Sequence, residues 1–200
     1  MKMTLLKACC FGCVVAGCSQ PLPVLVPVTA LKGCVSLTIP VEWTNHQMLH
    51  GWASDCNGCS YSEPSDYFGE DSLVQTPITP PTRSFCVVGS TIQPGSFLRS
   101  FPFKPDAKAE ARTLKQKDPS ATDEEIIVSP KTKTVEVSYR SQIDEKGPAY
   151  YCKSITYFGP NRRVRVSFKG KDSPKFRETV AAMRNSIQIK PAFLNEEIDK

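Results

Sequence analysis

Residues 150–169, YYCKSITYFGPNRRVRVSFK, predict two antiparallel strands joined by a tight turn. In the second strand apolar Val164, Val166 and Phe168 alternate with arginine and serine, which is the period of a strand with one buried face. We expect the apolar residues to point inward and the arginines and the serine to point outward. The Gly-Pro-Asn sequence at 159–161 is typical of the turn between two such strands.

A third strand precedes this hairpin, and a helix follows it. Residues 132–140 place Val135, Val137 and Tyr139 on one face of a strand. Residues 172–187, DSPKFRETVAAMRNSI, open with a capping residue and a proline, as helices often do. The apolar residues that recur at helical spacing along this segment are Phe176, Val180, Met183 and Ile187. Together these elements predict an α+β fold, a twisted antiparallel sheet with packed helices.

The preceding half of the chain shows weaker patterns. VSLTIPVEW at 35–43 alternates apolar and polar residues up to a proline, which predicts a strand. Further short strands are predicted at 85–88 and 125–128, and a helix at 105–117. Residues 44–70 have many turn formers and no strong periodicity, so we expect a long irregular insertion there.

The order of these elements resembles that of the PsbP-like and DcrB-like proteins. The resemblance is carried by VSLTIPVEW at 35–43, YYCKSITYFGPNRRVRVSF at 150–168 and DSPKFRETVAAMRNSIQI at 172–189, and it covers most of residues 34–189. It implies a PsbP-like fold without a catalytic signature. Since members of this family are mostly binding or assembly factors, including envelope lipoproteins, it also implies a binding role. The insertion at 44–70 departs from the family pattern.

The first residues predict export. Lys2 and Lys7 accompany a short apolar stretch at 8–16, which is too short to cross a bilayer and is typical of a signal peptide. Val-Ala-Gly-Cys at 15–18 resembles the lipobox of bacterial lipoproteins, which implies that Cys18 is acylated after cleavage. The alternatives are an ordinary cleaved signal and an uncleaved anchor.

Cleavage at this position divides the chain into four parts. Residues 1–17 form the signal peptide, 18–32 the lipidated cysteine with a Pro-rich tether, 33–190 the α+β domain and 191–200 a polar tail. A residue other than Asp after the cysteine, here Ser19, implies by the same resemblance an outer-membrane lipoprotein that faces the periplasm.

The charge and the motifs exclude several partners. Loss of two lysines with the signal leaves 23 of the 25 basic residues against 20 acidic ones, a net charge of about +3. That is too small to indicate nucleic-acid binding. No Gly-rich phosphate loop is present, and we expect no cofactor and no metal.

The mature chain keeps five cysteines as disulfide candidates, because exported proteins meet an oxidising compartment. These are Cys34, Cys56, Cys59, Cys86 and Cys152. Because five is an odd number, at least one of these thiols stays unpaired or pairs with a thiol of another chain. Cys56 and Cys59 also have the spacing of a thiol-redox pair, although Asp55 would raise the pKa of a neighbouring thiol. With His46 and His50 they have a spacing that is chemically possible for zinc, but a disulfide is the preferred interpretation.

The main functional hypothesis is a non-catalytic protein-binding module, since no set of nucleophile, base and oxyanion donors is recognisable. Five aromatic residues are the predicted binding surface: Trp43, Trp52, Tyr61, Tyr67 and Phe68. One specific form of this hypothesis is an immunity protein that uses residues 44–70 to inhibit a toxic envelope enzyme, such as one delivered by type VI secretion. The alternatives are a structural or assembly factor of the envelope and a thiol-redox enzyme that uses Cys56 and Cys59.

Lipidation can be tested by intact-mass analysis of the protein purified from membranes. We expect a chain that begins at Cys18 and carries the added mass of several acyl chains, because one chain alone holds a protein only weakly. A Cys18→Ala variant should remain unacylated and leave the membrane fraction. Detection of Met1, or of an unmodified thiol at position 18, would refute the lipoprotein hypothesis.

Overall fold

A computed structural model gives the fold of the chain. The residues that it describes are 21–48, 61–62, 65–70, 84–92, 106–142, 147–160 and 162–195. Within them the chain forms a three-stranded sheet, an eight-stranded sheet and three helices, and all strand pairs are antiparallel. None of the described helices combines the length and the apolar character that crossing a membrane requires.

The small sheet contains β1 (Leu25–Ala30), β2 (Val35–Pro40) and β11 (Gln188–Ile189), with β2 in the middle. The prediction that 18–32 is wholly a tether is therefore wrong, because every residue of β1 pairs with β2. A proline cannot donate a ladder hydrogen bond, but β1 is an edge strand, and Pro27 is tolerated there. The folded domain begins at β1 and not at residue 33.

A strained turn joins β1 to β2. Leu31, Lys32 and Gly33 all have positive φ angles, of 50°, 56° and 78°. The carboxylate of Asp66 accepts a hydrogen bond from the backbone N–H of Leu31 at 2.5 Å. This contact ties the turn of the small sheet to the large sheet.

The large sheet has the spatial order β3-β5-β6-β10-β9-β8-β7, with β4 also paired to β6. Its strands are β3 (Thr44–Met48), β4 (Tyr61–Ser62), β5 (Ser65–Gly69), β6 (Phe85–Ile92), β7 (Thr122–Ser129), β8 (Thr134–Ser141), β9 (Tyr150–Phe158) and β10 (Arg162–Lys171). The predicted meander of three consecutive strands is confirmed as β8, β9 and β10.

The expectation of a long irregular insertion at 44–70 is wrong for its described parts. β5 pairs with β3 on one side and with β6 on the other, so that Phe68 lies opposite both Asn45 and Cys86. β3 and β5 contain few β-branched residues, and it is their pairing within the sheet that makes them strands. Residues 49–60 and 63–64 lie outside the described part.

The hydrophobic core lies between one face of the large sheet and a layer formed by β2 and helix α2 (Pro174–Ser186). We call this sheet face the core face. The hydroxyl of Ser173 caps the helix by accepting a hydrogen bond from the N–H of Phe176 at 3.1 Å. The fully buried core residues include Val35, Leu37, Phe68, Val88, Val164, Val166, Phe168, Val180 and Met183. The predicted helix and the inward apolar residues of β10 are confirmed.

The opposite face of the large sheet is covered in part by helix α1 (Ala107–Lys117), and we call it the α1 face. The hydroxyl of Ser120, just after α1, lies 3.3 Å from that of Ser141 on β8. Because side chains alternate along β8, Tyr139 shares this face with Ser141. The molecule therefore has three layers, with the large sheet in the middle.

The predicted polar tail at 191–200 is wrong at its beginning. Pro191–Asn195 forms helix α3, and its Phe193 and Leu194 pack against the core. The guanidinium of Arg162 lies 3.9 Å from the centre of the Phe193 ring. Residues 196–200 lie outside the described part.

Replacement of Phe68 tests whether it serves the core or an interface. Phe68 has no exposed surface, so Phe68→Ala should lower the free energy of unfolding by about 3–5 kcal/mol through lost burial and the cavity left behind. Val24, which is 70% exposed, is the matched control, and Val24→Ala should change stability by less than about 0.5 kcal/mol. Urea unfolding curves of the two variants measure the difference. Equal stability of both would contradict the core assignment.

Candidate functional site

Basic side chains line the α1 face of β10. Arg163, Arg165, Lys169 and Lys171 occupy this face because they alternate with the buried residues of the strand, and Ser167 lies between them. Side chains two residues apart on a strand are separated by about 6.6 Å, so the four cations extend over about 26 Å. We call them the basic row.

Small residues flank the middle of the basic row. Arg165 lies between Gly89 on β6 and Thr156 on β9. Its Nε donates a hydrogen bond to Thr156 Oγ1 at 3.3 Å, and the side chain as a whole is exposed. In the next position along the row, the hydroxyls of Ser154 and Ser167 lie 3.2 Å apart. Small side chains, most of them with hydroxyl groups, therefore surround Arg165.

Aromatic rings support two of the cations. The guanidinium carbon of Arg163 lies 5.1 Å from the centre of the Phe158 ring. The ammonium nitrogen of Lys169 lies 5.3 Å from the centre of the Tyr150 ring. Such cation–π contacts restrict the side chains and leave their charge available, because a ring carries no net charge to neutralise them.

The charge of the basic row is poorly compensated. Burial and then the neighbouring charge of Arg165 lower the pKa of Arg163, and Glu110 on α1 partly opposes both effects. The charge of Lys169 also attracts the carboxylate of Asp118, just after α1. Among the described residues, none of the four cations forms a salt bridge. The row can therefore attract an acidic ligand or surface.

The structure separates the aromatic residues that the sequence predicted as a binding surface. Trp43 and Phe68 belong to the core, with 6% and 0% exposed, so their assignment to an interface is wrong. Tyr67 is half-buried on the α1 face, where its ring stacks on Phe85 at 5.2 Å. The backbone of Tyr61 pairs with β6, while its side chain and all of Trp52 lie outside the described part.

Tyr67 shares its face with the basic row. It lies opposite Val87 on β6, which in turn lies opposite Ser167 on β10. Two strand spacings, about 9.6 Å, thus separate the backbones of Tyr67 and Ser167. Of the five predicted aromatic residues, Tyr67 is the one that the described structure brings to this surface.

Three of the five disulfide candidates, Cys34, Cys86 and Cys152, are free thiols, so their predicted pairing is wrong. Cys86 lies opposite Phe168 on the core face, whereas Cys152 lies opposite its neighbour Lys169 on the α1 face. The sheet therefore separates these two sulfurs, which a disulfide would require close together. Burial raises the pKa of both thiols, which makes them poor nucleophiles.

The remaining two candidates, Cys56 and Cys59, lie outside the described part of the chain, as does His50. His46 contributes backbone to β3, and its side chain is not described. Among the residues that are described, no group of His, Cys, Asp and Glu side chains is arranged to hold a metal ion.

A second charged cluster lies on the core face and joins α2 to the sheet. Glu136 on β8 accepts hydrogen bonds from Arg184 of α2, whose Nε lies at 3.2 Å, and its carboxylate lies 3.0 Å from Lys153 Nζ. Only 8% of the Glu136 side chain is exposed. Burial alone would raise the pKa of this carboxyl, but the two cations outweigh burial and hold the pKa below its usual range. Its charge is thus satisfied internally.

Sequence reasoning placed the arginines of β10 on the outward face but did not identify them as a site. The signal was present as an Arg-x-Arg-x-Ser-x-Lys-x-Lys alternation over 163–171. What the sequence did not show is the neighbour on the other side, since β6 is paired to β10 across about 75 residues of chain. Only that pairing shows that the small residue Gly89 lies opposite Arg165.

No known protein family and no curated protein matches the sequence. Among solved structures, cyanobacterial PsbP (CyanoP) from Synechocystis sp. PCC 6803 is similar with a TM-score of 0.51 and 9% identity, over 92% of this chain and 98% of that one. The Ran-binding protein Mog1p of Saccharomyces cerevisiae has a TM-score of 0.49 and 7% identity, over 86% and 99%. LpqN, involved in cell envelope biogenesis of Mycobacterium tuberculosis, has a TM-score of 0.43 and 10% identity, over 84% of this chain and 91% of that one. The likeness to CyanoP shows that the α+β fold is PsbP-like.

Glu136→Gln tests the cluster that joins α2 to the sheet. Near pH 7 the variant should lose about 1–3 kcal/mol of unfolding free energy, because two cations lose their buried anion. The native carboxyl has a lowered pKa, so its contribution is complete above its ordinary value of 4.5 and declines as the pH falls through the lowered pKa. Urea unfolding at several pH values should show the two proteins converging in acid. A difference that persists unchanged there would contradict this account.

Proposed function

We propose that this chain is a non-catalytic binding module, held at the envelope by lipid on Cys18, whose basic row receives an acidic segment of a protein partner. The observation that carries the proposal is the run of four cations on one face of β10 without salt bridges to described residues. Like charges in a row repel one another, and an acidic partner would relieve that repulsion.

The geometry of the row favours an extended acidic segment. Same-face residues of an extended chain repeat at about 6.6–6.8 Å, which is also the spacing of the cations on β10. Carboxylates on alternate residues of the partner could then meet Arg163, Arg165 and Lys169 in register. The hydroxyls of Ser154 and Ser167 offer hydrogen bonds between the charges.

The described side chains around the row favour binding over catalysis. Arginine and lysine side chains offer several hydrogen-bond donors, which suits the binding of carboxylates. Ser154 and Ser167 have each other as hydroxyl partners, and no histidine or carboxylate of the described residues is hydrogen-bonded to either. The buried thiols have raised pKa values. The thiol-redox alternative rests on Cys56 and Cys59, outside the described part, and stays a prediction.

The envelope location rests on the signal peptide and lipobox of the sequence, and it sets which partners are available. An acidic partner at the periplasmic face of the outer membrane could be an envelope component that the chain helps to assemble. The immunity hypothesis offers residues 44–70 as its inhibitory loop. Of these, 44–48, 61–62 and 65–69 are strands of the sheet. Residues 49–60 and 63–64 lie outside the described part, and the immunity hypothesis stays a prediction.

Paired charge-removing variants test the basic row. Arg163→Gln/Arg165→Gln should weaken binding of a fluorescein-labelled (Glu-Ser)6 peptide about tenfold in low salt, since each exposed ion pair contributes up to about 1 kcal/mol. The control Lys131→Gln/Lys175→Gln removes the same net charge from exposed positions outside the row and should bind almost normally. Fluorescence anisotropy over a salt series measures both. Equal weakening by the two variants would show a net-charge effect and contradict the proposal.

In cells, photo-crosslinking with and without the Arg163→Gln/Arg165→Gln change distinguishes a specific partner from background. A photo-crosslinking side chain at Lys171 should capture one periplasmic protein in stoichiometric yield, and the Arg163→Gln/Arg165→Gln change should abolish that product. The same crosslinker at Lys175, an exposed position on α2, should capture nothing comparable. Absence of a product at Lys171, or its survival in the arginine variant, would contradict a protein partner on this face.

A further inference from the structure

Exposed aliphatic side chains cluster at the open end of the β1–β2 hairpin. Leu22, Val24 and Val41 are 47%, 70% and 58% exposed. The backbone N–H of Val41 donates to the carbonyl of Val24 at 2.9 Å, so these two residues lie side by side just beyond the last residues of the ladder. Among the described residues, Ile127 on β7 is the other large hydrophobic residue with comparable exposure, at 42%.

The chain itself keeps this end of the hairpin close to the acylated cysteine. Leu22 follows Cys18 by four residues and Val24 by six. A chain spans at most about 3.6 Å per residue, so Leu22 and Val24 lie within about 14 Å and 22 Å of the Cys18 Cα atom. Because β1 begins at Leu25, the linker after Cys18 has six residues and not the fourteen of a tether that ends at residue 32.

We propose that Leu22, Val24 and Val41 rest on the phospholipid bilayer that holds the acyl chains, and so orient the domain on the membrane. This inference depends on the lipid anchor of the proposed function. The anchor removes the cost of bringing the domain to the surface, so that a small apolar contact suffices to set its orientation. Glu42 is also exposed beside Val41, which favours a zwitterionic over a strongly anionic lipid surface.

The orientation is compatible with the basic row. The small sheet packs on the core face of the large sheet, whereas the basic row lies on the α1 face. With the open end of the hairpin on the bilayer, the thickness of the large sheet separates the basic row from the small sheet. The row therefore remains open to a partner from the periplasm.

Lipid quenching tests the contact on the acylated full chain in phosphatidylethanolamine–phosphatidylglycerol vesicles with brominated acyl chains. A fluorescent unnatural amino acid replaces Val41 or, as the matched control, Ile127. We expect brominated lipid to reduce the emission at position 41 at least about twofold and to leave position 127 unchanged, because quenching requires contact with the acyl region. The triple variant Leu22→Ser/Val24→Ser/Val41→Ser should remain anchored. With the exposed Glu42 replaced by the fluorophore in both backgrounds, quenching by brominated lipid should be at least about twofold weaker in the triple variant, because the serines no longer hold this end of the hairpin on the acyl region.

The outcomes separate the docking from the anchor. A protein that floats with the vesicles but shows no quenching at position 41, or equal quenching at both positions, overturns the docking and leaves the anchor intact. A full chain that carries no acyl group and does not float overturns the anchor, and the docking falls with it. Equal quenching at position 42 with and without the three serine substitutions also overturns the docking, because it shows that the aliphatic side chains do not set the orientation.

Discussion

The alternation of side chains along β10 is the constraint on which the rest of the structure depends. Val164, Val166 and Phe168 are almost completely buried at the centre of the core, and this fixes how β10 pairs with β6 and β9. A shift by one residue would turn Arg163 and Arg165 into the core and expose the apolar residues, at a prohibitive cost in desolvation. The register that builds the core therefore also aligns the basic row on the opposite face.

The start of β1 also depends on pairing between strands and not on the local sequence pattern. A proline-rich stretch would ordinarily act as a stiff spacer that keeps a domain away from the bilayer. Here its second half pairs with β2, and Asp66 fixes the turn beyond it to the large sheet. Pairing in the sheet thus takes up the second half of this stretch, and six residues, 19–24, separate Cys18 from the first residue of β1.

The sequence predicted those elements whose own pattern is strong. β10 and α2 have clear apolar periods, and both were predicted close to their observed bounds. β1, β3 and β5 lack such patterns. β3 and β5 are strands because of their pairing within the large sheet, and β1 accommodates its proline because it lies at an edge. The aromatic residues show the same limit, because a ring favours a core as readily as an interface. The burial of Phe68 follows from the pairing of β5 with β6, and Trp43, between β2 and β3, is also buried.

The two charged clusters differ in how their charge is balanced, and this difference indicates their roles. Glu136 is buried between Arg184 and Lys153, so its desolvation is offset within the fold. In the basic row, burial and then the charge of Arg165 lower the pKa of Arg163, and Glu110 partly opposes them. Such a row contributes little to the stability of the isolated domain. The acidic partner proposed for the α1 face would supply the anions that compensate these charges, whereas Glu136 joins α2 to the sheet on the core face.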